Sequence, residues 1–188
     1  MEMMSNQAVV VIDVQNAILD SPNAPRPEET RAALDVVVGR IARLIAWARE
    51  NNIPVLFVQH DGAKGHRLER GSPGWQIRKE IAPVQGEPVI HKTACDSFFE
   101  TTLADELASR KIGELIVAGC QTEYCVDTSV RRAVSLGYDV TLIADGHMTG
   151  DSGGLTCDQI IAHHNSLLDG FDAGSHSVRV LPLDEVIS

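Results

Sequence analysis

The segment from Leu115 to Ala133 constrains the fold more than any other part of this 188-residue chain. It opens with an apolar run, LIVA, that has the length and composition of a buried strand and stops at Gly119. From Thr122 onward, apolar residues recur at three- and four-residue spacing, which predicts a helix with Thr122 as its N-cap. The segment is therefore predicted to be a strand, a turn and a helix in direct succession.

Cys125 falls in the first turn of this predicted helix, at the carboxyl end of the strand. Unpaired N–H groups and the helix dipole favour a thiolate there, so we expect a lowered thiol pKa. Open α/β sheets also bind their ligands at this edge. The alternative interpretation is a small buried hydrophobe, because free cysteine is among the most buried residue types. The strand, turn and helix context favours a functional thiol.

Buried strands alternate with helical segments along the rest of the chain. Strands are predicted at 8–12, 55–58, 88–90, 115–118, 138–144 and 178–181, and helices at 28–51, 101–110, 122–134 and 156–168. Pro22, Pro25 and Pro27 indicate a loop before the first helix. The alternation predicts an α/β fold with a mostly parallel sheet and helices on both faces, because parallel neighbours need crossovers. The length favours one domain over residues 1–188.

Composition and charge restrict the class of partner. A net charge of −10 and a pI near 5.0 disfavour phosphate backbones and anionic membranes, so neither nucleic acid nor a membrane is expected as a partner. No apolar stretch approaches the roughly 20 residues that cross a bilayer. The opening MEMMSNQ has no basic region, so we expect no secretory signal and a cytoplasmic location. The four cysteines form no CxxC pair, which argues against a disulfide framework and a zinc site.

Polar residues follow the ends of several predicted strands: Asp13, His60, Asp61, Lys92, the segment 120–125 and Asp145. The carboxyl ends of parallel strands share one edge of a sheet, so these side chains should lie close together. The Cys125 thiolate could attack an acyl carbon if Asp13 accepts its proton and later returns it to a leaving amine. Lys92 would lower the thiol pKa and orient the carboxylate. A turn acid at Asp13 and a solvated surface charge at Lys92 are the alternative interpretations.

The tetrahedral oxyanion of such a reaction needs hydrogen-bond donors, and the backbone N–H groups of Gln121 and Cys125 are the candidates. Several side chains on loops or strand ends are candidates for substrate binding: Gln15, His60, Trp75, Phe98, Gln121, Tyr124 and His147. An aromatic wall with a few polar groups suits a small, planar, neutral amide. Trp75 and Phe98 could instead pack in the core. The glycine-containing segment 145–155 is a candidate cover for the pocket.

His163 and His164 are adjacent on a predicted helix, so their side chains point in different directions. They cannot both face one ligand. We interpret them as capping or interface residues.

Three separately placed segments carry a family resemblance: VVVIDVQNAI, VIHKTACDSFFETTL and IVAGCQTEYCVDTSVRRAVSLGYDVTLIADG. They resemble the cysteine hydrolases of the isochorismatase-like family, which includes nicotinamidases, N-carbamoylsarcosine amidohydrolases and ureide- or biuret-type hydrolases. The resemblance implies a three-layer, Rossmann-like α/β/α sandwich around a six-stranded parallel sheet, and a homodimer or larger homo-oligomer. It also implies a catalytic triad of Asp13, Lys92 and Cys125, and a non-proline cis peptide between Cys120 and Gln121.

The departures from this family pattern are also informative. Nicotinamidases carry an Asp-x-His element after the second strand that helps to hold a metal, whereas the corresponding residues here are His60 and Asp61 followed by Gly and Ala. No metal or other cofactor is therefore expected. Isochorismatases proper lack the nucleophilic cysteine, so Cys125 favours cleavage of a small amide or ureide through a thioester over vinyl-ether hydrolysis.

The sequence thus predicts a metal-independent cysteine amidohydrolase that acts on a small molecule. Two alternatives remain open. One is a non-catalytic small-molecule binding protein on the same fold. The other is a zinc-assisted, nicotinamidase-type hydrolase that uses His60, Asp61 and a further histidine.

Overall fold

The structure is a computed structural model that describes residues 6–21 and 23–188. Its strands are β1 (Gln7–Ile12), β2 (Val55–His60), β3 (Val89–Lys92), β4 (Glu114–Cys120), β5 (Asp139–Met148), β6 (Asp172–Ala173) and β7 (His176–Leu181). Its α-helices are α1 (Pro27–Glu50), α2 (Leu103–Ser109), α3 (Asp127–Ser135), α4 (Cys157–Leu168) and α5 (Leu183–Val186). Residues 1–5 and Pro22, one of the three predicted loop prolines, lie outside the described residues.

The strands of the described residues form one seven-stranded sheet in the order β3-β2-β1-β4-β5-β7-β6. The pairs from β3 to β7 are all parallel, which confirms the predicted parallel sheet of six strands. The seventh strand, β6, pairs antiparallel with β7 at the edge. It contains two residues, too few to show a periodic pattern in the sequence.

The buried strands alternate their side chains between two apolar layers. On one face, Val9 and Val11 of β1 pack with residues of α1, including Leu34, Ile41 and Ile45. On the other face, Val10 of β1 packs with residues of α2 and α3, including Leu107 and Val130. Helices therefore cover both sides of the sheet and form the predicted three-layer sandwich. No helix in the described part of the chain has the length and apolar character that crossing a membrane requires.

The chain between β4 and α3 differs from the predicted helix. Residues Thr122–Val126 form a π-helical turn before α3 begins at Asp127. Thr122 is not the N-cap of a helix, as the sequence predicts, because its hydroxyl contacts the buried ring of His147 instead. The peptide bond between Cys120 and Gln121 is cis, as the family resemblance implies.

A chain of polar side chains, of which Thr122 and His147 are buried and Asn165 is half-buried, connects this turn to β5 and α4. The amide Nδ2 of Asn165 donates to the Ala144 carbonyl at 2.9 Å. Asn165 Oδ1 therefore faces His147 Nε2, 2.8 Å away, and accepts a hydrogen bond from its N–H group. His147 Nδ1 then carries no proton and accepts a hydrogen bond from the Thr122 hydroxyl at 2.9 Å. The contacts select one tautomer of His147 and fix the first residue of the π-helical turn.

Gly119 allows β4 to approach β1 at the end of both strands. Its φ of +136° lies in a region that L side chains rarely adopt, and a Cβ atom would overlap the carbonyl oxygen of Ile12. Ile12 is its partner in the parallel register. A side chain at this position would therefore push apart the two strands that carry Asp13 and the π-helical turn.

We predict that Gly119→Ala lowers the free energy of unfolding by about 2 to 3 kcal/mol, because the added methyl group meets the β1 backbone. The matched control is Gly39→Ala in α1, where an added Cβ meets no atom within 4 Å and φ is not positive. We expect that control to gain up to about 1 kcal/mol from helix propensity. Urea unfolding measures both changes, and similar values for the two variants would contradict the prediction.

A second prediction concerns the pH dependence of stability. Burial lowers the pKa of His147 to about 4, although its hydrogen bond with Asn165 acts in the opposite direction. The unfolded chain binds a proton at this histidine below a pH of about 6.5, whereas the folded protein binds it only below about pH 4. The free energy of unfolding therefore falls as the pH falls from about 6.5 to about 4. Between pH 7 and pH 5, the stability of the wild type should fall by about 2 kcal/mol more than that of His147→Gln.

Urea unfolding at a series of pH values tests this prediction. The exposed His163→Gln variant is the matched control on α4. Parallel pH profiles for the wild type and His147→Gln would contradict the assignment of a neutral, buried His147.

Candidate active site

The ends of β1, β3 and β4 bring together the three side chains of the predicted triad. Lys92 Nζ lies 2.6 Å from Asp13 Oδ2 and donates to Cys125 Sγ at 3.2 Å. A further hydrogen bond of 2.8 Å runs from Lys92 Nζ to the Ala94 carbonyl. The side chains of Asp13 and Lys92 are completely buried, whereas Cys125 is partly exposed. The ammonium is therefore the central group, in contact with both the carboxylate and the sulfur.

The backbone turns sharply at Asp13 to direct its side chain toward Lys92. Asp13 has a φ of +51°, which is uncommon for a residue other than glycine. The neighbouring side chain of Gln15 holds the chain beyond this turn. Its Nε2 donates to the carbonyls of His60 and Trp75, at 3.0 and 2.7 Å, and its Oε1 accepts from the His60 N–H.

Burial and the neighbouring charges set the protonation of the three groups. Burial and the Asp13 carboxylate raise the pKa of the Cys125 thiol, and the opposing effect of Lys92 is smaller. The lowered thiol pKa that the helix terminus predicts is therefore wrong for the unliganded site, because burial outweighs the favourable dipole. Burial also raises the pKa of Asp13 against the opposing effect of Lys92, which makes this carboxylate a better proton acceptor. Burial alone would lower the pKa of Lys92, but the combined effect of Asp13 and Cys125 is larger and raises this pKa above its ordinary value. Lys92 therefore stays charged.

A cavity of about 440 Å³ opens beside the sulfur. Asp13, Gln121 and Cys125 line it together, so both predicted oxyanion donors border the same space as the thiol. A neighbouring cavity of about 630 Å³ shares wall residues with it, including Leu19 and Arg67. The arrangement can present a small carbonyl compound to Cys125.

The structure separates the predicted substrate-binding residues into two groups. His60, Gln121 and Tyr124 line the cavity, whereas Gln15, Trp75, Phe98 and His147 are not among its lining residues. The buried Gln15 and His147 make the structural hydrogen bonds described above.

Trp75 and Phe98 are engaged in packing away from the cavity. The Trp75 indole donates from Nε1 to Asp61 Oδ1 at 2.7 Å and stacks on His91 with ring centroids 5.8 Å apart. Phe98 stacks on Tyr138, with centroids 5.9 Å apart, and packs against one of the two apolar layers. These contacts agree with packing, the alternative interpretation of both aromatic residues.

Several residues line the cavity although the sequence patterns did not indicate them as binding residues. Glu123 and Thr149 border the cavity, and so does Asp151, whose carboxylate pairs with both Nε and Nη2 of Arg26 at 2.6 and 2.8 Å. Arg26 and Asp151 are 125 residues apart, so no local pattern links them. The glycine-containing segment 145–155 does contribute to the wall through residues 149–152.

The predicted zinc ligands of the alternative hydrolase do not converge. His60 faces the cavity, whereas Asp61 contacts Trp75, His91 and Arg70. Within residues 6–21 and 23–188, no group of three His, Cys, Asp or Glu side chains is arranged to hold a metal ion. The donor geometry therefore gives no support to the zinc-assisted alternative.

Comparison with known proteins places the chain in a family. The family model that describes the isochorismatase domain matches residues 7–155 of this chain. The chain is 37% identical over 145 residues to a streptothricin hydrolase of Streptomyces noursei, in a match that covers 77% of this chain and 50% of that protein. It is 28% identical over 175 residues to a ureidoacrylate amidohydrolase of Variovorax paradoxus (strain S110), which covers 75% and 68% of the two chains.

The chain thus spans about half the length of the streptothricin hydrolase that it matches. A solved structure of an isochorismatase from Pseudomonas putida KT2440 superposes with a TM-score of 0.84 at 28% identity, over 97% of this chain and 90% of the other. Because the domain match covers most of the chain and the solved structure has the same fold, this protein belongs to the isochorismatase family.

Proposed function

We propose that this protein is a hydrolase that cleaves a C–N bond of a small amide or ureide, with Cys125 as the nucleophile. The observation that carries the proposal is the contact of the buried Lys92 ammonium with both the Asp13 carboxylate and the Cys125 sulfur at the wall of a cavity. The similarity to a streptothricin hydrolase and a ureidoacrylate amidohydrolase supports hydrolysis of an amide-type bond.

The first half of the reaction forms a thioester. Asp13 accepts the thiol proton of Cys125 as the sulfur attacks the carbonyl carbon, and the carbonyl electron pair moves to the oxygen. The backbone N–H groups of Gln121 and Cys125 stabilise this oxyanion. When the oxyanion collapses, the C–N bond breaks and Asp13 returns the proton to the leaving nitrogen. Lys92 stays charged throughout and offsets the negative charge on the thiolate and the carboxylate.

The second half of the reaction hydrolyses the thioester. Asp13 takes a proton from a water molecule, whose oxygen attacks the thioester carbon. The oxyanion then collapses, the C–S bond breaks with its electron pair on the sulfur, and this thiolate takes the proton from Asp13. An amide yields a carboxylic acid and an amine or ammonia, whereas a ureide yields a carbamic acid in place of the carboxylic acid.

The other expectations from the sequence stay predictions. They are a homodimer or larger assembly, a cytoplasmic location, the absence of a nucleic-acid partner, and the single domain. The non-catalytic binding protein is the competing hypothesis that the following experiments exclude or establish.

We predict that Cys125→Ala lowers turnover at least about 10³-fold, because it removes the nucleophile. Ammonia release from a panel of small amides and ureides measures the effect, and mass spectrometry of the quenched wild-type protein should detect an acyl group on Cys125. The matched control is Cys95→Ser, an exposed thiol at the same cavity that lacks the contacts with Asp13 and Lys92. Full turnover by Cys125→Ala would contradict the role of Cys125 as the nucleophile, whereas no turnover of any amide or ureide by the wild type would favour a binding protein.

The buried ion pair gives a second prediction. Asp13→Asn or Lys92→Met alone should cost about 3 to 5 kcal/mol of folding free energy, because each leaves one buried polar partner uncompensated. The double variant should recover part of this stability but none of the turnover, since no proton acceptor remains. Denaturant unfolding and amide hydrolysis are measured on the same four proteins. Recovery of turnover in the double variant would show that the pair has only a structural role.

A further inference from the structure

Buried polar atoms without a hydrogen-bond partner are concentrated at the wall of the cavity beside Cys125. Within the described residues, five carry such side-chain atoms, and four of these five line this cavity: Asp13, His60, Glu123 and Thr149. Lys92 contacts Asp13, which leaves His60 Nδ1, Glu123 Oε2 and the hydroxyl of the fully buried Thr149. Folded proteins leave few buried polar groups unpaired, so three at one cavity indicate a place for a polar ligand.

Glu123 differs from the other carboxylates at this cavity. Asp13 is paired with Lys92, and Asp151 is paired with Arg26 through two hydrogen bonds. Within the described residues, Glu123 Oε2 is buried without a hydrogen-bond partner, and the side chain forms no ion pair. The cavity therefore contains one negative charge without a positive partner.

The positive groups of the cavity do not cancel this charge. Arg67 lies at the side shared with the neighbouring cavity and is exposed, so water and salt screen it. The ring of His60 is neutral near pH 7, since burial lowers its pKa. A buried carboxylate oxygen acts in surroundings of lower dielectric constant than an exposed guanidinium, so Arg67 does not neutralise Glu123, the carboxylate of this cavity without an ion-pair partner in the described residues.

We propose that the substrate carries an ammonium or guanidinium group in addition to its scissile amide, and that Glu123 is the residue that selects it. This inference rests on the proposed function and names its substrate class. Glu123 lies two residues before Cys125 in the same π-helical turn, which places the binding group close to the sulfur in the sequence and at the same cavity. The net charge of −10 adds a long-range attraction for cations. A cationic amide therefore replaces the neutral amide expected from Trp75 and Phe98.

Thr149 and His60 complete the recognition set, which we define as Glu123, Thr149 and His60, the cavity residues with unpaired buried polar atoms that can bind the substrate. Thr149 directly follows Met148, whose register partner in β4 is Cys120, and Thr149 and Gln121 both line the cavity. Its hydroxyl can accept from a substrate N–H or donate to a carbonyl, and the neutral ring of His60 offers one further donor or acceptor. Both groups suit the polar atoms of an amide, whereas Glu123 can only accept.

Three amides of similar length test the inference: guanidinobutanamide (cationic), pentanamide (neutral) and glutaramate (anionic). Turnover is measured by ammonia release with the wild type, and binding is measured by calorimetry with Cys125→Ala. We expect the cationic amide to exceed the neutral amide by about tenfold in kcat/KM and in affinity, and the anionic amide to be weakest. Glu123→Gln, which keeps the shape and removes the charge, should reduce this ratio to below about threefold.

The matched control is Asp105→Asn, which removes one negative charge from an exposed position on α2, away from the cavity. It should keep the wild-type ratio, because the effect requires a charge at the cavity wall. A cation preference that is absent, or that persists in Glu123→Gln, overturns the inference. So does equal or undetectable binding of all three amides.

These outcomes separate the inference from the proposed function. Cys125-dependent hydrolysis without any charge preference overturns the substrate class but supports the hydrolase. Binding of the cationic amide that depends on Glu123, without turnover of any amide, supports the recognition set and overturns the hydrolase.

Discussion

The site depends on one buried ion pair between strands that are not neighbours in the sheet. Asp13 follows β1 and Lys92 ends β3, with β2 between them. Removing both charges from water costs several kcal/mol, and the 2.6 Å contact offsets this cost only while the three strands keep their register. The same contact holds the ammonium within 3.2 Å of the Cys125 sulfur. Sheet geometry and the candidate chemistry are therefore coupled through Lys92.

A buried glutamine, a buried histidine and a half-buried asparagine hold the chain segments around this pair from outside the cavity. Gln15 joins the end of β2 to the loop that contains Trp75, and it does so with three hydrogen bonds to the backbone. His147 and Asn165 hold Thr122, the first residue of the π-helical turn. Such groups are costly to bury unless they are fully paired, and once paired they specify one arrangement. The hydrogen bonds of His147 and Asn165 thus hold the π-helical turn that contains Cys125 at its first residue.

Much of this arrangement was predictable from the sequence because it follows from local patterns. Continuous apolar runs marked the parallel strands, and the polar residues at their carboxyl ends marked the edge where Asp13, Lys92 and Cys125 meet. The direction in which the pKa of the Cys125 thiol shifts was not predictable, because burial has the largest effect on this pKa and only the packing of the folded chain determines burial. The partners of Gln15 and His147 also escaped prediction, since both residues hydrogen-bond to groups far along the chain.

The ion pair between Arg26 and Asp151 has a consequence for how molecules reach the sulfur. It joins the residue before α1 to the cavity wall through two charge-assisted hydrogen bonds, and Asp151 also accepts from the Cys157 backbone. Swinging this rim outward would break all three bonds at once. Movement of this segment away from α1 therefore has to break the ion pair first, despite the glycines on either side of Asp151. A molecule that reaches the sulfur from this side passes a rim that is held by charge-assisted hydrogen bonds.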